Sequence, residues 1–176
     1  EELGFRYSVS ARDSIAVRNI LENSGNFKPH EIEIALELTG EWITKGDSSG
    51  YYFIFADYNN ETVGYICYGP ITMTEQRFDI YWLAVDRSMH GKGIGSLLIS
   101  EAEKKIAESD GYLIFVETSS KDIYSQARGF YKKHGYQAVA CIPDYYADND
   151  DKVILMKNIR PASIMRTHDG ALAESK

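Results

Sequence analysis

The chain has 176 residues and a hydrophobic fraction of 44%, which suits one domain with one sizeable core. Its formal net charge of −7 argues against nucleic-acid binding, which needs a basic face, and suits a cationic or amine-bearing partner. No apolar run approaches the roughly 20 residues of a membrane span and no N-terminal stretch has signal-peptide form. Cys67 and Cys141, each in an apolar run, read as reduced core thiols of a cytoplasmic protein.

Phe5 to Val9 alternates and ends before a polar cluster, as a first strand does. Ser14 to Ser24 carries Ile15, Ile20 and Leu21 behind Asp13 as N-cap, a helix that Gly25-Asn26 stops. Pro29 opens a second helix with Ile32, Ala35, Leu36 and Leu38 as its apolar face. Gly46 to Gly50 reads as a loop. Tyr51 to Ala56 and Thr62 to Tyr68 read as an antiparallel hairpin around Asp57 to Glu61, which Gly69-Pro70 ends. Asp79 to Val85 is the next strand. Gly93 to Glu108 has the clearest helical stripe: Ile94, Leu97, Leu98, Ala102 and Ile106, opposed by Glu103, Lys104 and Glu108. Tyr112 to Thr118 is a strand, and Ser125 to His134 a short helix closed by Gly135. Tyr136 to Ile142 and Val153 to Lys157 are late strands around an acidic loop. There is no internal repeat. One domain over 1–159 and a C-terminal tail over 160–176 are expected, in the α/β class, with a mixed sheet flanked by helices.

The chemically informative stretch runs from the strand ending in Leu83-Ala84-Val85 to His90-Gly-Lys-Gly-Ile-Gly-Ser96. A strand enters a glycine-rich turn and the turn enters a helix. Helix N-termini offer free N–H groups and partial positive charge, and glycines let a phosphate approach the backbone. The physics is that of a pyrophosphate site. A Walker A loop needs Lys-Ser/Thr after its last glycine, but Ser96-Leu97 follows Gly95. A dinucleotide fingerprint needs glycines at the first, third and sixth places, and here they stand at Gly91, Gly93 and Gly95. A tight turn that binds nothing is the plain alternative.

The same stretch resembles the coenzyme-A signature of the GNAT superfamily of N-acetyltransferases: Gln or Arg, two free positions, Gly, one free position, then Gly or Ala. Gly93 and Gly95 fill the glycine places, and His90 stands where Arg or Gln is usual. Downstream, Ala127 to Tyr136, with its Phe130-Tyr131 pair and Gly135-Tyr136 step, is similar to the family's later helix. The resemblance covers Phe5 to Lys157. It implies a GNAT-like acyl-CoA N-acyltransferase fold, mixed α+β, with a central, mostly antiparallel sheet that splays at a bulge beside the glycine turn.

What the resemblance implies for the site follows residue by residue. Acetyl-CoA is the co-substrate. The backbone of Leu83, Ala84 and Val85 holds the pantetheine arm like an added strand, and the Val85 N–H polarises the thioester carbonyl. The pyrophosphate falls to His90, Gly91, Lys92, Gly93, Ile94, Gly95 and Ser96. Tyr131 matches the tyrosine that protonates the departing thiolate. Asp79 stands where some members carry a glutamate as general base. Alternation puts Asp79, Tyr81, Leu83 and Val85 on one face, although a solvated strand-end carboxylate is equally in keeping with the sequence. Tyr124 replaces an Asn usual in the family, which leaves the pantetheine contact to its hydroxyl or to Ser125. In the acidic loop Asp144-Tyr-Tyr-Ala-Asp148-Asn-Asp150-Asp151, the acid groups, Asp144 first among them, are expected to attract an ammonium group and Tyr145 or Tyr146 to stack on it, unless the loop is simply solvated. Four scattered histidines give no metal spacing. The expected function is transfer of an acetyl group from acetyl-CoA to a primary amine by direct attack in a ternary complex, with a homodimer compatible. The acceptor is a small amine, amino acid, polyamine or peptide amine. A non-catalytic acyl-CoA sensor is the alternative, and Tyr131 favours the enzyme because sensing needs no proton donor to sulfur.

Overall fold

In a computed structural model, which describes residues 2–161, one seven-stranded sheet carries the site, in the order β1-β2-β3-β4-β5-β7-β6. In chain order β1 (Leu3–Arg6) leads to two helices, α1 (Asp13–Ser24) and α2 (Pro29–Lys45). A meander follows: β2 (Tyr52–Tyr58), β3 (Glu61–Pro70) and β4 (Arg77–Val85). Then come α3 (Ile94–Glu108), β5 (Leu113–Ser119), α4 (Ser125–Lys133), β6 (Gln137–Ala147) and β7 (Asp150–Asn158). Every neighbouring pair is antiparallel except β4 with β5. The expected tail lies outside the described residues from position 162 on.

Strand alternation divides the buried residues between two faces. Ile54, Ile66, Phe78 and Ile80 meet Leu98, Ala102 and Ile106 of α3 on one face. Phe53, Phe55, Tyr65 and Cys67 meet Val17, Ile20 and Leu21 of α1 and Ile32 of α2 on the other. No helix among the described residues is long and apolar enough to cross a membrane.

Several elements depart from their sequence reading. The first strand ends at Arg6, and Val9 is buried in the α1–α2 core instead. Asp13 is not a cap. It lies in the first turn of α1, where it accepts from Ser10 N at 2.6 Å and pairs with Arg6 at 2.8 Å. The hairpin turn shrinks to Asn59-Asn60, both at left-handed φ (51° and 65°), as a two-residue turn requires. In α3, Leu97 is 47% exposed and Ile99 takes its place in the stripe. At 3.6 residues per turn Leu97 stands roughly 130° from the stripe's centre. Cys67 is buried, but Cys141 is exposed on edge strand β6. The acidic loop is mostly strand, because β6 and β7 run on to a turn at Asp148-Asn149.

Arg6 fastens the edge of this fold. Besides Asp13 it pairs with Asp57 at 3.0 Å and lies over the Phe55 ring. Asp13 is 2% exposed. Burial pushes its carboxyl up, yet Arg6 and Ser10 together hold it below the usual range. Arg6→Ala strands that buried charge. The expected loss is about 3 kcal/mol, read from urea denaturation.

Candidate active site

The site begins with a break in strand pairing. Cys67 pairs with Trp82 and Tyr68 with Ile80, so Tyr81 is an extra residue, a bulge in β4. The parallel pairing of β4 with β5 ends at Ile80 opposite Val116. Beyond it the two strands diverge, and a cleft of about 1110 Å³ opens between them. The bulge also switches faces. Phe78 and Ile80 lie in the α3 core, and so do Leu83 and Val85. Tyr81, Trp82 and Ala84 pack on the α1–α2 side. Asp79 therefore shares the α1–α2 face and not the face of Leu83 and Val85, a correction that simple alternation through the bulge misses.

At the far end of β4 the chain turns into α3. Gly91 and Gly93 have left-handed φ of 76° and 79°, and open space stands where their Cβ atoms would be. The first-turn amides of α3 have no intrahelical acceptor. Gly91, Gly93, Ile94, Gly95 and Ser96 line the cleft. This turn fits an anion such as a pyrophosphate: bare amides, a helix N-terminus, and no side chain to block approach. His90 folds back so that Nε2–H donates to Val85 O at 2.8 Å. The Lys92 side chain leaves the cleft, with Nζ 3.4 Å from Met89 Sδ and over the Tyr58 ring. Ser96 Oγ meets His134 Nε2 at 3.0 Å, and burial lowers the pKa of that imidazole.

Tyr131 lines the cleft from α4, packed edge-on against Phe130 and Tyr136. Its hydroxyl makes no hydrogen bond to any described residue. Burial pushes the phenol's pKa up, so it stays protonated.

Asp79 lies at the apex of the split, opposite Phe115. Burial, then the nearby Glu117 charge, push its carboxyl up to about 6, with Lys152 partly opposing. Glu117 pairs with Lys152 at 2.6 Å. On the same cleft the Tyr124 hydroxyl reaches Glu31 of α2 at 3.1 Å, and Ser119 donates to buried Asp150. The split thus has two chemically different sides. Carboxylates gather on the α1–α2 face, and the protonated phenol and glycine turn belong to the α3 side.

The structure brings most of the expected site residues to one cleft: Asp79, Leu83, Ala84, Val85, Tyr124 and Tyr131, besides the turn. Lys92, Asp144 and Tyr145 are not among its lining residues. Asp144 builds the β6–β7 turn, its carboxylate accepting from Asn149 N, and the Tyr145 ring lies under Lys152 Nζ at 3.9 Å. Tyr146, on the opposite face of β6, lines the cleft instead. Glu31 and Glu117 escaped the sequence reading, which names Asp150 only as one acid of the loop. Glu31 is a helix-start residue, its Oε2 accepting from Lys28 N, with no sequence signal that sets it apart as a cleft residue. Among the described residues no group of three or more His, Cys, Asp or Glu is arranged to hold a metal ion.

One close approach holds the floor beneath Asp79. A Cβ on Gly69 would run into the Gly50 carbonyl. That contact seats Tyr51 edge-on to Tyr81 at 5.3 Å. Gly69→Ala is expected to shift the 50–51 segment and cost about 2 kcal/mol, seen as a lower urea midpoint.

Comparison with known proteins bears on this geometry. The family model described as "Acetyltransferase (GNAT) family" matches residues 16–136. The chain is 42% identical over 67 residues to a blasticidin-S acetyltransferase of Streptomyces morookaense, a match covering 38% of the chain and 46% of that protein. It is 31% identical over 108 residues to an uncharacterized N-acetyltransferase of Methanocaldococcus jannaschii, covering 60% and 65%. The matched stretches thus span about half to two thirds of these relatives. Among solved structures, a chain described as an acetyltransferase of the GNAT family from Desulfovibrio desulfuricans superposes with a TM-score of 0.88 at 35% identity, over 90% of this chain and all (100%) of that one. An aminoglycoside 6'-N-acetyltransferase complexed with coenzyme A shares the fold, with a TM-score of 0.68 at 19% identity over 89% and 98%.

Proposed function

The chain belongs to the GNAT acetyltransferase family, and on that premise we propose that it moves an acetyl group from acetyl-CoA to a primary amine by direct attack while both are bound. One observation carries the reading. The β4–β5 split runs from a half-buried carboxylate, Asp79, to the glycine turn at α3, with the Tyr131 phenol on its other side.

Bound acetyl-CoA supplies an activated thioester carbonyl. The amides of Gly91 through Ser96, with the N-terminus of α3, hold the pyrophosphate. Among the described residues the edge of β4 from Tyr81 to Val85 has no strand partner on the β5 side, so its backbone groups take the pantetheine arm as an added strand. His90 keeps the Val85 carbonyl engaged, which leaves the neighbouring N–H groups to face the arm. Lys92 contributes its amide alone.

Most amines reach the cleft as ammonium and lose a proton before they attack. Asp79, with its carboxyl raised to about 6, is ionised at neutral pH and basic enough to accept that proton, directly or through water. As the C–N bond forms and the C–S bond breaks, Tyr131 donates its phenolic proton to the departing sulfur. The two proton transfers take place on opposite faces of the sheet, so the acceptor enters from the α1–α2 face and coenzyme from the α3 side.

Initial rates of thiol release, with acetyl-CoA and an accepted amine both varied, test this order. Intersecting reciprocal plots are expected for attack within a ternary complex. Parallel plots would require an acetylated enzyme and would overturn direct attack.

A further inference from the structure

The carboxylate face of the cleft holds a charge that its neighbours leave unbalanced. Asp150, the first residue of β7, is 6% exposed and lines the cleft together with Glu31, Tyr124 and Tyr146. Ser119 donates a hydrogen bond to its Oδ1. No lysine, arginine or histidine among the described residues forms an ion pair with it. Two cations of the adjoining segments are engaged elsewhere, and Lys28 and His30, which line the same cleft, form no ion pair with Asp150. Lys152 Nζ bonds Glu117 at 2.6 Å, and Arg128 donates to the backbone carbonyls of Ser119 and Lys121. A carboxylate taken out of water without a cation is strongly unfavourable unless a bound cation completes it.

We infer that Asp150 receives a second positive charge of the acceptor, which makes the acceptor an elongated dication such as a linear diamine. This rests on the acetyl-transfer reading above. The strands set the spacing. Asp79 lies level with Phe115, and Asp150 is bonded to Ser119, four residues further along β5. At about 3.3 Å per residue the two carboxylates stand roughly 13 Å apart along the strand, so the cations they hold are on the order of 10 Å apart. The cleft that holds both carboxylates is also lined by groups suited to an alkyl chain with charged ends. Tyr81, Tyr124 and Tyr146 offer aromatic rings, and Glu31, bonded by the Tyr124 hydroxyl, adds negative charge to the same cleft. A monoamine meets only the Asp79 end.

The test uses the full chain with acetyl-CoA and two acceptors, 1,8-diaminooctane and octylamine. The diamine is expected to show a KM about tenfold or more below that of octylamine. Asp150→Asn is expected to cut that preference about tenfold through KM rather than kcat. Glu31→Gln, which keeps a side-chain oxygen for Lys28 N at the start of α2, should cut it in the same direction. Equal KM for both amines in the native chain, or a preference that survives both variants, overturns the inference. Calorimetric titration of the diamine into the coenzyme A complex separates this from the transfer reading. Asp150-dependent binding without acetyl transfer supports the dication site and overturns transfer. Acetyl transfer to both amines alike supports transfer and overturns the dication site.

Discussion

Tyr131→Phe is expected to lower kcat about a hundredfold, which is about 2.7 kcal/mol of barrier, without lowering stability or coenzyme affinity. The reason lies in what the hydroxyl does and does not touch. The ring is buried between Phe130 and Tyr136, contacts that Phe keeps. The hydroxyl has no hydrogen-bond partner among the described residues, so its removal breaks nothing in the fold. A structural tyrosine in that setting would leave kcat in place when trimmed to Phe. A proton donor to sulfur would not, because the thiolate would then depart without stabilisation. The measurement is kcat with a saturating amine beside a thermal melt. A loss of kcat with an unchanged melt supports the role, and unchanged kcat removes it.

Asp79→Asn should have the second large effect, and the two halves of that effect have opposite signs. Activity falls about a hundredfold because the amide cannot accept a proton. In the native chain the base must be ionised, so kcat/KM is expected to drop as pH falls through about 6. That limb should vanish in the variant. Stability moves the other way. The folded pKa of about 6 lies above the ordinary 3.8, so the folded chain binds the proton more tightly than the unfolded one. Asp79 then favours folding below pH 4, loses that advantage between 4 and 6, and burdens the fold above 6. Because the carboxyl is only half-buried, solvent reduces the effect to about 1 kcal/mol at pH 7. Asn should therefore raise the melting temperature by about 3 °C there. A variant that is less active and more stable identifies a group kept for chemistry at a cost in folding. A pH limb that persists in Asp79→Asn would place the base elsewhere.

Much of the scaffold was legible because its signals are local. The glycine turn, the stripe of α3 and the Phe130-Tyr131 helix all announce themselves within a few residues, and each lies where the sequence places it, save that Ile99 replaces Leu97 in the stripe. What stayed hidden depends on pairing between distant segments. The resemblance implies a bulge before the glycine turn, but its place at Tyr81 exists only in the register of β3 against β4. It carries Asp79 to the opposite face from Leu83 and Val85, which no alternation count along β4 alone reveals. The acceptor side is legible only as a whole loop for a related reason. Asp144-Tyr145 and Tyr146-Asp150 look alike in composition, and strand pairing alone decides that Tyr146 and Asp150 line the cleft while Tyr145 supports Lys152. Glu31 could not be distinguished from an ordinary helix-start glutamate until Tyr124, 93 positions away, was seen to bond it.

The most direct measurement of the central claim is a product balance. The chain is incubated with acetyl-CoA and each of a panel of amines, diamines included, and free thiol and acetylated amine are counted separately by absorbance and mass. Equal amounts of the two, appearing only when an accepted amine is present, are the predicted result. Coenzyme binding with neither product across the panel, or thiol released without any acetylated amine, would contradict the account.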